Sequence, residues 1–571
     1  MAKKVLIISS SPRKGGNSDL LCDEFMKGAL EAGNEVEKIV LKDKTVHPCT
    51  GCSVCSMYGK PCPQKDDAAE IVEKMIAADV IVMATPVYFY TMCGQMKVMI
   101  DRCCARYTEI TNKEFYFIIA AAENDKAMME RTIDGFRGFL DCLEGGIAVF
   151  VQGSAIGDEL NVRILKVKKT YAFGKIEEIL VPSKARITPD CENFMKCGGC
   201  TWRHISYEEE CKIKQQRVED AVTRIGGLDN VVFKPIISSD NITRYRNKAQ
   251  YPVGLDRDGN VVTGFYSFHS HRIINCTDCI LQPEIFARVI EITKDFIAKT
   301  NTEIYDETTG KGRLRHIYIR IGEVSGELMV CYVVNANGLK QEDLLVKMLK
   351  SELPQLKSVI INSNREKTNV VLGRKNRTIY GSDHITDTLC GLQFKISPFS
   401  FWQINRKQAE KLYGKAKEYA NLKSDEILLD LYCGTGTIGL TMADSCKQLI
   451  GAEIVEDAVK DANENAKANG IENARFICGD ASDAAFQLEK EGLKPDCVIL
   501  DPPRKGCGEE LVKTISRMSP SRVVYVSCDP ATLARDLKFF TENGYTPKEI
   551  TPCDMFSGTY HVESVALIER N

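Results

Sequence analysis

Residues 525–536, YVSCDPATLARD, hold the passage from a strand to a helix around which the rest of the chain is arranged. The apolar strand VVYVSC brings Cys528 to its carboxyl end, and Pro530 near the start of the next helix fixes where the strand stops. Ligands of open α/β sheets bind at the carboxyl ends of the strands, so Cys528 is predicted to lie at a reacting edge. The chain has 24 cysteines, and most of those other than Cys528 are expected to be ordinary small buried residues.

Four strand ends upstream predict a cofactor cleft. The segment ILLDLYCGTGTIGL, residues 427–440, breaks from a strand into a Gly-x-Gly turn before a helix, where the backbone can approach a ligand and N–H groups are unpaired. A second strand ends at Glu453, where a carboxylate can hold ribose hydroxyls, and strands ending within 476–480 and 498–504 follow. No Lys follows the glycines, which disfavours a nucleoside triphosphate.

Together these motifs resemble the S-adenosylmethionine-dependent RNA (uracil-5-)-methyltransferases over residues 146–571. The matching segments are SFWQIN (400–405), DLYCGTGTIGL (430–440), DPPR (501–504), SCDP (527–530) and HVE (561–563). The resemblance implies a Rossmann-like methyltransferase domain with S-adenosylmethionine as methyl donor. Its product would be 5-methyluridine in RNA.

The chemistry explains the residue types. Carbon 5 of uracil is a poor nucleophile until a thiolate adds to carbon 6, and Cys528 is the predicted nucleophile. The resemblance makes Glu563 the base that removes the carbon 5 proton, a role that a partly desolvated Glu with a raised pKa would suit. It also implies that Asp501 contacts the uracil edge or the cofactor. The family's cofactor positions match Gln403, Tyr432, Thr437, Glu453 and Asp480. Thr437 replaces the Asn common in the family.

The expected partner is RNA whose target base is accessible. A uracil inside a duplex cannot be reached from both faces, so a loop or single-stranded uridine is predicted. The formal net charge is only −3, but residues 161–275 hold 19 Lys and Arg against 13 Asp and Glu, where phosphate contacts are expected. The segment RYRNK, residues 244–248, alternates basic and aromatic residues suited to phosphate contact and base stacking, or forms a strand with solvated basic residues.

Length and composition place the chain among soluble proteins of three or more domains. It has 571 residues, of which 44% are hydrophobic and 27% charged. No apolar run reaches the ~18 residues that span a bilayer, and the short strand after Lys4 is not an export segment. We therefore expect a cytoplasmic protein without membrane contact, whose cysteines are thiols or metal ligands.

The first 145 residues alternate strands and helices, which predicts a doubly wound parallel sheet of flavodoxin type. Strands are predicted at 4–10, 35–41, 80–87 and 114–122, and helices at 18–32, 68–77 and 91–103. The first strand runs into SSSPRKGGNS, residues 9–18, a turn that can cradle one phosphate. The third runs into TPVYFY, residues 85–90, an aromatic loop suited to a flavin ring.

These segments resemble the NADPH-dependent FMN reductases and iron–sulfur flavoproteins over residues 4–140. The resemblance implies FMN binding, with NADPH as the reductant. The implied FMN contacts are Ser9, Ser11, Arg13, Asn17, Ser18, Thr85, Pro86 and Tyr88. The implied ligands of a 4Fe-4S cluster are Cys49, Cys52, Cys55 and Cys62, which zinc would also accept.

The junction between the halves has too few strands. A flavodoxin-type sheet needs a fifth strand, yet residues 147–152 are followed by further strand-like runs at 160–167 and 171–180. Those runs resemble the later part of the small TRAM β-barrel without its opening strand. The sequence therefore predicts a fusion in which both partners are trimmed.

A second cysteine cluster follows the junction. By resemblance to the ribosomal branch of the methyltransferase family, Cys191, Cys197, Cys200 and Cys279 hold a 4Fe-4S cluster, with Cys276 as an alternative fourth ligand. Methyl transfer needs no electron, so the cluster is expected to brace the RNA-binding region. This resemblance favours ribosomal RNA, specifically 23S rRNA, as the substrate.

The expected organisation has five parts. They are a flavodoxin-like FMN domain (1–145), a TRAM-like segment (146–187), an iron–sulfur region (188–282), a β-rich central RNA-binding domain (283–400) and a methyltransferase domain (401–571). Two other functions stay open. One is a flavin oxidoreductase with an RNA-binding C-terminal half, and the other is a flavin-dependent methylation with folate carbon, which would leave the cleft at 434–453 unused.

Overall fold

The computed structural model describes residues 2–55, 60–122, 129–143, 148–168, 171–268 and 270–571. The chain divides into two compact units. One comprises Met1–Gln152 with Asn161–Glu178, and the other comprises Gly153–Leu160 with Ile179–Asn571. No described helix is long and apolar enough to cross a membrane.

The first unit begins with a doubly wound sheet, which confirms the predicted flavodoxin-like architecture. Its elements are β1 (Lys4–Ser9), α1 (Asn17–Glu31), β2 (Glu35–Val40), α2 (Ala68–Ala77), β3 (Val80–Tyr88), β4 (Thr91–Met92), α3 (Gly94–Arg102), β5 (Glu114–Ala120) and α4 (Glu130–Leu143). Strands β2, β1, β3 and β5 are parallel in that order. Because helices cover both faces, the central strands are continuous apolar runs.

The predicted helix 91–103 is too long at its start. Thr91 and Met92 instead form β4, which turns back on β3 with Tyr88 opposite Thr91. Phe89 and Tyr90 make the turn with positive φ angles of 50° and 65°. Residues with a Cβ are strained at positive φ angles. The apolar spacing of residues 91–103 is that of a helix, so nothing in the sequence indicated the hairpin.

The strands at the junction form a separate three-stranded sheet. They are β6 (Ala148–Val151), β7 (Glu159–Val167) and β8 (Tyr171–Val181), in the order β6-β8-β7. Strand β6 pairs with β8, and within the described ranges it has no partner in the flavodoxin-like sheet. The boundary expected at residues 145 and 146, and residue 147 of the expected strand, lie outside the described residues.

The second unit holds a central region built on a seven-stranded sheet, with the order β12-β11-β10-β13-β14-β15-β16. Its elements are α5 (Tyr207–Arg224), β9 (Val232–Phe233), β10 (Lys248–Leu255), β11 (Val261–Tyr266), β12 (Ile273–Asn275), α6 (Glu284–Thr300), β13 (Leu314–Ile321), β14 (Leu328–Val334), α7 (Glu342–Glu352), β15 (Leu356–Ser363), β16 (Lys375–Gly381), β17 (Ile385–Leu389) and β18 (Leu392–Ile396). Most of its strand pairs are antiparallel.

The C-terminal region is an eight-stranded sheet with the order β21-β20-β19-β22-β23-β25-β24-β9. Its elements are α8 (Arg406–Ala420), β19 (Ile427–Leu431), α9 (Thr437–Leu440), β20 (Gln448–Glu453), α10 (Glu456–Ala468), β21 (Ala474–Cys478), α11 (Ala481–Lys490), β22 (Cys497–Leu500), α12 (Glu509–Met518), β23 (Arg522–Ser527), α13 (Pro530–Glu542), β24 (Tyr545–Cys553) and β25 (Glu563–Arg570). This confirms the predicted Rossmann-like fold.

Alternate residues of β23 pack into the two layers that cover this sheet. Val524 and Val526 lie in the core that includes α8, whereas Val523 and Tyr525 lie in the core that includes α12 and α13. Burial on both faces explains the uninterrupted apolar run of this strand. The carboxyl end of β23 is therefore held by packing on both faces.

Candidate active site

Strand pairing brings Cys528 and Glu563 to the same edge of the sheet. Strand β25 runs antiparallel to β23 with Ser527 opposite Ser564, so the next pair in this register places Cys528 opposite Glu563. Strand β22 runs parallel to β23 on its other side and ends one residue before Asp501. Three residues that are distant in sequence thus meet at one carboxyl edge, as the strand pattern predicts.

The Cys528 thiol is held in its neutral form. Burial raises its pKa to about 11, the carboxyl groups of Glu563 and Asp501 add to this effect, and the Arg504 guanidinium opposes it. Thiolate is the nucleophilic form of a cysteine, so this thiol would have to lose its proton before it could act as a nucleophile.

The two carboxyl groups beside this thiol are suited to move protons near neutral pH. Glu563 is only 6% exposed, and burial raises its pKa to about 8, with a further contribution from Asp501 and an opposing one from Arg504. Burial also raises the pKa of Asp501 to about 7. Each group can therefore hold or accept a proton at physiological pH.

The chain on either side of Cys528 is fixed by hydrogen bonds. Asp529 caps α13 by accepting from the backbone N–H groups of Ala531 and Thr532 at 2.9 and 3.1 Å. Asp536 Oδ2 accepts from the Tyr525 hydroxyl and from the Cys507 N–H, both at 2.7 Å. The same carboxylate thus ties β23 to the loop that follows Asp501 and Arg504.

The glycine turn after β19 leaves room for a ligand on one side. Gly434 and Gly436 have φ angles of 56° and 81°. A Cβ at Gly434 would meet nothing within 4 Å, whereas a Cβ at Gly436 would lie 3.1 Å from the Phe476 ring. Glu453 Oε2 accepts from the Gly434 N–H at 3.1 Å, which fixes the turn to the end of β20.

The predicted cofactor residues lie at the ends of adjacent strands. Tyr432 follows β19, Glu453 ends β20, Asp480 follows β21 and Asp501 follows β22, and these four strands are neighbours in the sheet. Asp480 also caps α11 by accepting from the Ser482 N–H at 2.9 Å.

Gln403 lies outside this sheet, in the segment before α8. It is anchored by its carbonyl, which accepts from Asn247 Nδ2 at 2.9 Å.

Two polar residues at the cleft were not predicted from the sequence. Asp430 is fully buried at the end of β19, its Oδ2 accepts from the Gly439 N–H at 2.9 Å, and its Oδ1 has no partner among the described protein atoms. Burial raises its pKa to about 8. Tyr413 on α8 is buried, with its hydroxyl 3.3 Å from Thr437 Oγ1.

The residues of this cleft fit S-adenosylmethionine. The open turn at Gly434, the acid that ends β20 and the unpaired oxygen of Asp430 are features that a cationic, ribose-bearing ligand can use. An acidic strand end was a usable sequence signal for Asp430, whereas Tyr413 looked like an ordinary core residue of a helix.

The four thiols predicted to hold a 4Fe-4S cluster lie near one another. Burial raises the pKa of both Cys197 and Cys200; charge on Cys279 adds to this effect at both thiols, and charge on Cys191 adds to it at Cys197. Cys276 shares a hydrogen bond with Cys279, so the structure does not separate the two alternatives for the fourth ligand. Among residues that the structure describes, no group of three or more His, Cys, Asp or Glu has the arrangement of a metal site. The donor types fit such a cluster, but the observed arrangement does not form one.

In the first unit, a carboxylate of the protein itself already accepts hydrogen bonds from the predicted phosphate-binding turn. Asp19 accepts from the Ser9 hydroxyl at 3.1 Å and from the Gly15 N–H at 3.0 Å, and it pairs with Lys38 at 2.7 Å. The Ser11 hydroxyl donates to the Arg13 carbonyl at 2.8 Å.

The remaining predicted contacts of this turn differ in exposure. Arg13 and Asn17 are exposed, while Ser18 is buried. A bound phosphate would therefore depend on Arg13 and backbone N–H groups more than on the serine hydroxyls.

The other predicted flavin contacts surround the aromatic hairpin. The Thr85 hydroxyl is buried, donates to the Pro86 carbonyl at 2.9 Å and accepts from the Cys93 N–H at 3.0 Å. Tyr88 is exposed, and Phe89 at the tip is 99% exposed. A strained, exposed aromatic turn is what a flat apolar ligand would use.

The four cysteines predicted to hold a cluster in the first unit lie at or near its surface. Cys49 and Cys52 are exposed, and Cys55 and Cys62 are partly buried. Residues 56–59, between the last two, are not described.

Comparison with known proteins matches three family descriptions. Residues 3–143 match NADPH-dependent FMN reductase, residues 142–176 match the TRAM domain, and residues 345–571 match tRNA (uracil-5-)-methyltransferase.

Two curated relatives are named as RNA methyltransferases. A protein of Clostridium tetani named as an uncharacterized RNA methyltransferase is 44% identical over 420 residues, which cover 74% of this chain and 91% of the relative. A similarly named protein of Caldanaerobacter subterraneus is 43% identical and is covered to 94%.

A solved structure is also similar. The tRNA (uracil-54, C5)-methyltransferase of Pyrococcus abyssi, in complex with S-adenosyl-L-homocysteine, is 28% identical with a TM-score of 0.60. The match covers 74% of this chain and 95% of that one. The chain therefore belongs to the RNA (uracil-5-)-methyltransferase family, and it joins this enzyme to a flavodoxin-like domain that matches FMN reductases.

Proposed function

We propose that this protein forms 5-methyluridine in 23S ribosomal RNA, with Cys528 as nucleophile and Glu563 as base. The observation that carries the proposal is the strand register that sets Cys528 opposite Glu563 at the cleft edge. A thiol and a carboxylic acid with raised pKa values at that edge match the two tasks of the reaction.

The reaction uses these residues in order. Cys528 Sγ, as thiolate, forms a bond to carbon 6 of the uracil, and the electron pair of the 5,6 double bond moves to carbon 5 and the carbonyl system. Carbon 5 then takes the methyl group. Glu563 removes the proton from carbon 5, the double bond re-forms, and the bond from carbon 6 to Cys528 breaks.

The local charges prepare these steps. Asp501, with a pKa of about 7, and Glu563, with a pKa of about 8, both act on Cys528 and could accept its proton. Arg504 lowers the pKa of Cys528 and of Glu563, so it favours the thiolate and the carboxylate alike. The uracil must leave its stack to reach these groups, which favours an unpaired uridine.

S-adenosylmethionine would supply an electrophilic methyl group on a sulfonium. Glu453 at the end of β20 would bind the ribose, and Asp480 would orient the nucleoside. The unpaired oxygen of Asp430 would accept from the amino group. The glycine turn at Gly434 would admit the ligand because no atom occupies that side.

The central region would present the RNA. We propose that Cys191, Cys197, Cys200 and Cys279 hold a 4Fe-4S cluster that braces this region. This cysteine set in the sequence, together with the match to the TRAM domain, favours the ribosomal substrate. We also propose the five-part division into residues 1–145, 146–187, 188–282, 283–400 and 401–571, and a cytoplasmic location.

The first unit would bind FMN and accept electrons from NADPH. The exposed hairpin at Phe89 and Tyr90 would hold the flavin ring. The cysteines at 49, 52, 55 and 62 would hold a second cluster. These features leave a flavin oxidoreductase with an RNA-binding second half as the alternative function.

The test is mass spectrometry of large-subunit ribosomal RNA incubated with the purified protein and S-adenosylmethionine, without flavin or reductant. We expect one 5-methyluridine per target site, and none with Cys528→Ala, which should still bind FMN. A product that forms only when reduced flavin or folate is added would instead place the first unit at the centre of the chemistry.

A further inference from the structure

An exposed aromatic side chain stands beside the predicted base. Tyr560 is 42% exposed, although it lies only three residues before the buried Glu563. Its ring centroid is 4.2 Å from that of His561, at an interplanar angle of 36°. An exposed ring this close to a reacting edge is available to a ligand.

Helix α5 also contacts this tyrosine. The Arg217 guanidinium lies 5.2 Å from the centroid of the Tyr560 ring, and Arg217 Nη1 donates to the Tyr560 carbonyl at 2.5 Å. The cation and the hydrogen bond fix the orientation of the ring and backbone. The Tyr560 ring is therefore held in a fixed orientation before any ligand binds.

The surroundings of this pair carry positive charge. Burial lowers the pKa of His561 to about 4, and the positive charges of Arg504, Arg217, Lys214 and Arg246 add to this effect. Nε of Arg246 is buried and has no hydrogen-bond partner in the described part of the chain. Neutral His561 thus lies among guanidinium groups that an anion can approach.

We propose that Tyr560 and Arg217 form a binding site for the nucleotide next to the target uridine, with its base stacked on Tyr560 and its phosphate held by Arg217 and Arg246. The inference rests on the proposed RNA methylation and adds to it a contact that selects the flanking sequence. A base presents a flat π-face and a phosphate presents the negative charge, and the site offers a partner for each.

A similar pair elsewhere in the same region provides the matched control. Phe486 on α11 is 46% exposed, and Lys490 Nζ lies 4.2 Å from its ring centroid. Like Tyr560, Phe486 is an exposed ring with a cation near its face, but it belongs to a helix and not to the segment that leads into Glu563. Removing the Phe486 ring therefore tests for a general effect of losing an exposed aromatic residue.

The experiment measures equilibrium binding of short single-stranded RNA by fluorescence anisotropy, in the full-length Cys528→Ala protein so that no covalent step contributes. The probes carry one uridine, with either a normal or an abasic nucleotide on each side. We expect Tyr560→Ala to weaken binding of the normal probe roughly 5- to 100-fold. Tyr560→Trp should bind like the parent, and Phe486→Ala should change binding less than about twofold.

The abasic probes separate stacking from folding. The parent should lose affinity when the flanking base is missing, while Tyr560→Ala should bind both probes equally. Arg217→Met should weaken both probes and reduce the salt dependence of binding by about one phosphate contact. Retained S-adenosyl-L-homocysteine binding, by calorimetry, would show that each variant is folded.

The proposal is overturned if Tyr560→Ala binds like the parent, if Phe486→Ala weakens binding equally, or if the parent binds none of the probes. Failure of the proposed function gives a different pattern. In that case the protein with Cys528 intact yields no 5-methyluridine, although the dependence of binding on Tyr560 and the flanking base persists.

Discussion

The pKa of Cys528 should respond to Glu563 in a way that depends on pH. Glu563→Gln removes a carboxyl group that, when ionised, opposes formation of the thiolate. Below pH 8 this carboxyl is mostly protonated, because its own pKa is about 8. The substitution should therefore matter only in alkaline solution.

The size of the effect follows from the strand register. Residues opposite each other in an antiparallel pair have Cβ atoms ~5 Å apart. A unit charge at roughly 6 Å in a medium of effective dielectric ~20 contributes about 3 kcal/mol, or about 2 pKa units. The thiol of the variant should then titrate near pH ~9. Because Glu563, with a pKa of about 8, can take up a proton as the thiolate forms, the thiolate fraction of the variant at that pH should exceed that of the original protein roughly 5-fold.

The assay is the rate of alkylation by iodoacetamide, measured on the Cys528 peptide by mass spectrometry so that the other cysteines do not interfere. At pH 6.5 the two proteins should react at equal rates within about twofold, and the ratio should rise through pH 8. Glu542→Gln, an exposed carboxyl at the end of α13, should change neither rate. A ratio that is independent of pH, or slower alkylation of Glu563→Gln, would refute the assigned contact.

Two further predictions concern stability and cofactor binding. Lys214→Met should lower the free energy of unfolding by about 3–5 kcal/mol, because Lys214 is fully buried between Glu210 and Asp554 and its loss would leave their buried charges uncompensated. Urea denaturation measures this free energy. As a control, substitution of the exposed Lys212 in Lys212→Met should change the free energy of unfolding by less than about 1 kcal/mol. Gly436→Ala should weaken S-adenosyl-L-homocysteine binding by about 1–3 kcal/mol, because the turn requires a φ of 81° and a Cβ would crowd Phe476. Calorimetry measures this affinity, and an unchanged value would show that the turn does not shape the cleft.

The sequence predicted the elements that its local patterns encode. The buried runs at β19 and β23 and the turns after them indicated which residues share an edge, and the structure confirms that edge through the sheet order. Strand β14 (Leu328–Val334) has such a local pattern, because every residue in it is buried and apolar or aromatic.

Contacts between distant segments could not be predicted. Lys214 on α5 donates to Asp554 Oδ1 at 2.6 Å across 340 positions of sequence, and Glu210 accepts from the Gly558 N–H at 2.8 Å. From sequence alone, these residues belong to a charged helix and a polar loop. Lys214, Glu210 and Asp554 become buried only when α5 packs beside β24. Nothing in the sequence therefore indicated that α5 binds the segment leading to Glu563.

The hairpin at β4 shows a different limit. Residues 91–103 have the apolar spacing of a helix, and nothing local marks Phe89 and Tyr90 as a turn of positive φ. Pairing with β3 outweighs the helical preference over the first residues of this segment. Strain of this kind is imposed by the surrounding fold and is therefore invisible in composition.

The covalent role of Cys528 is tested most directly by Glu563→Gln incubated with large-subunit ribosomal RNA and S-adenosylmethionine. Without the base, the carbon 5 proton stays in place after methylation, so the bond from Cys528 to carbon 6 should persist. We expect an RNA–protein adduct that survives a denaturing gel and maps to the Cys528 peptide, and no adduct when Cys528→Ala is added to the variant. Normal turnover by Glu563→Gln, or an adduct at another residue, would contradict the assignment of both groups.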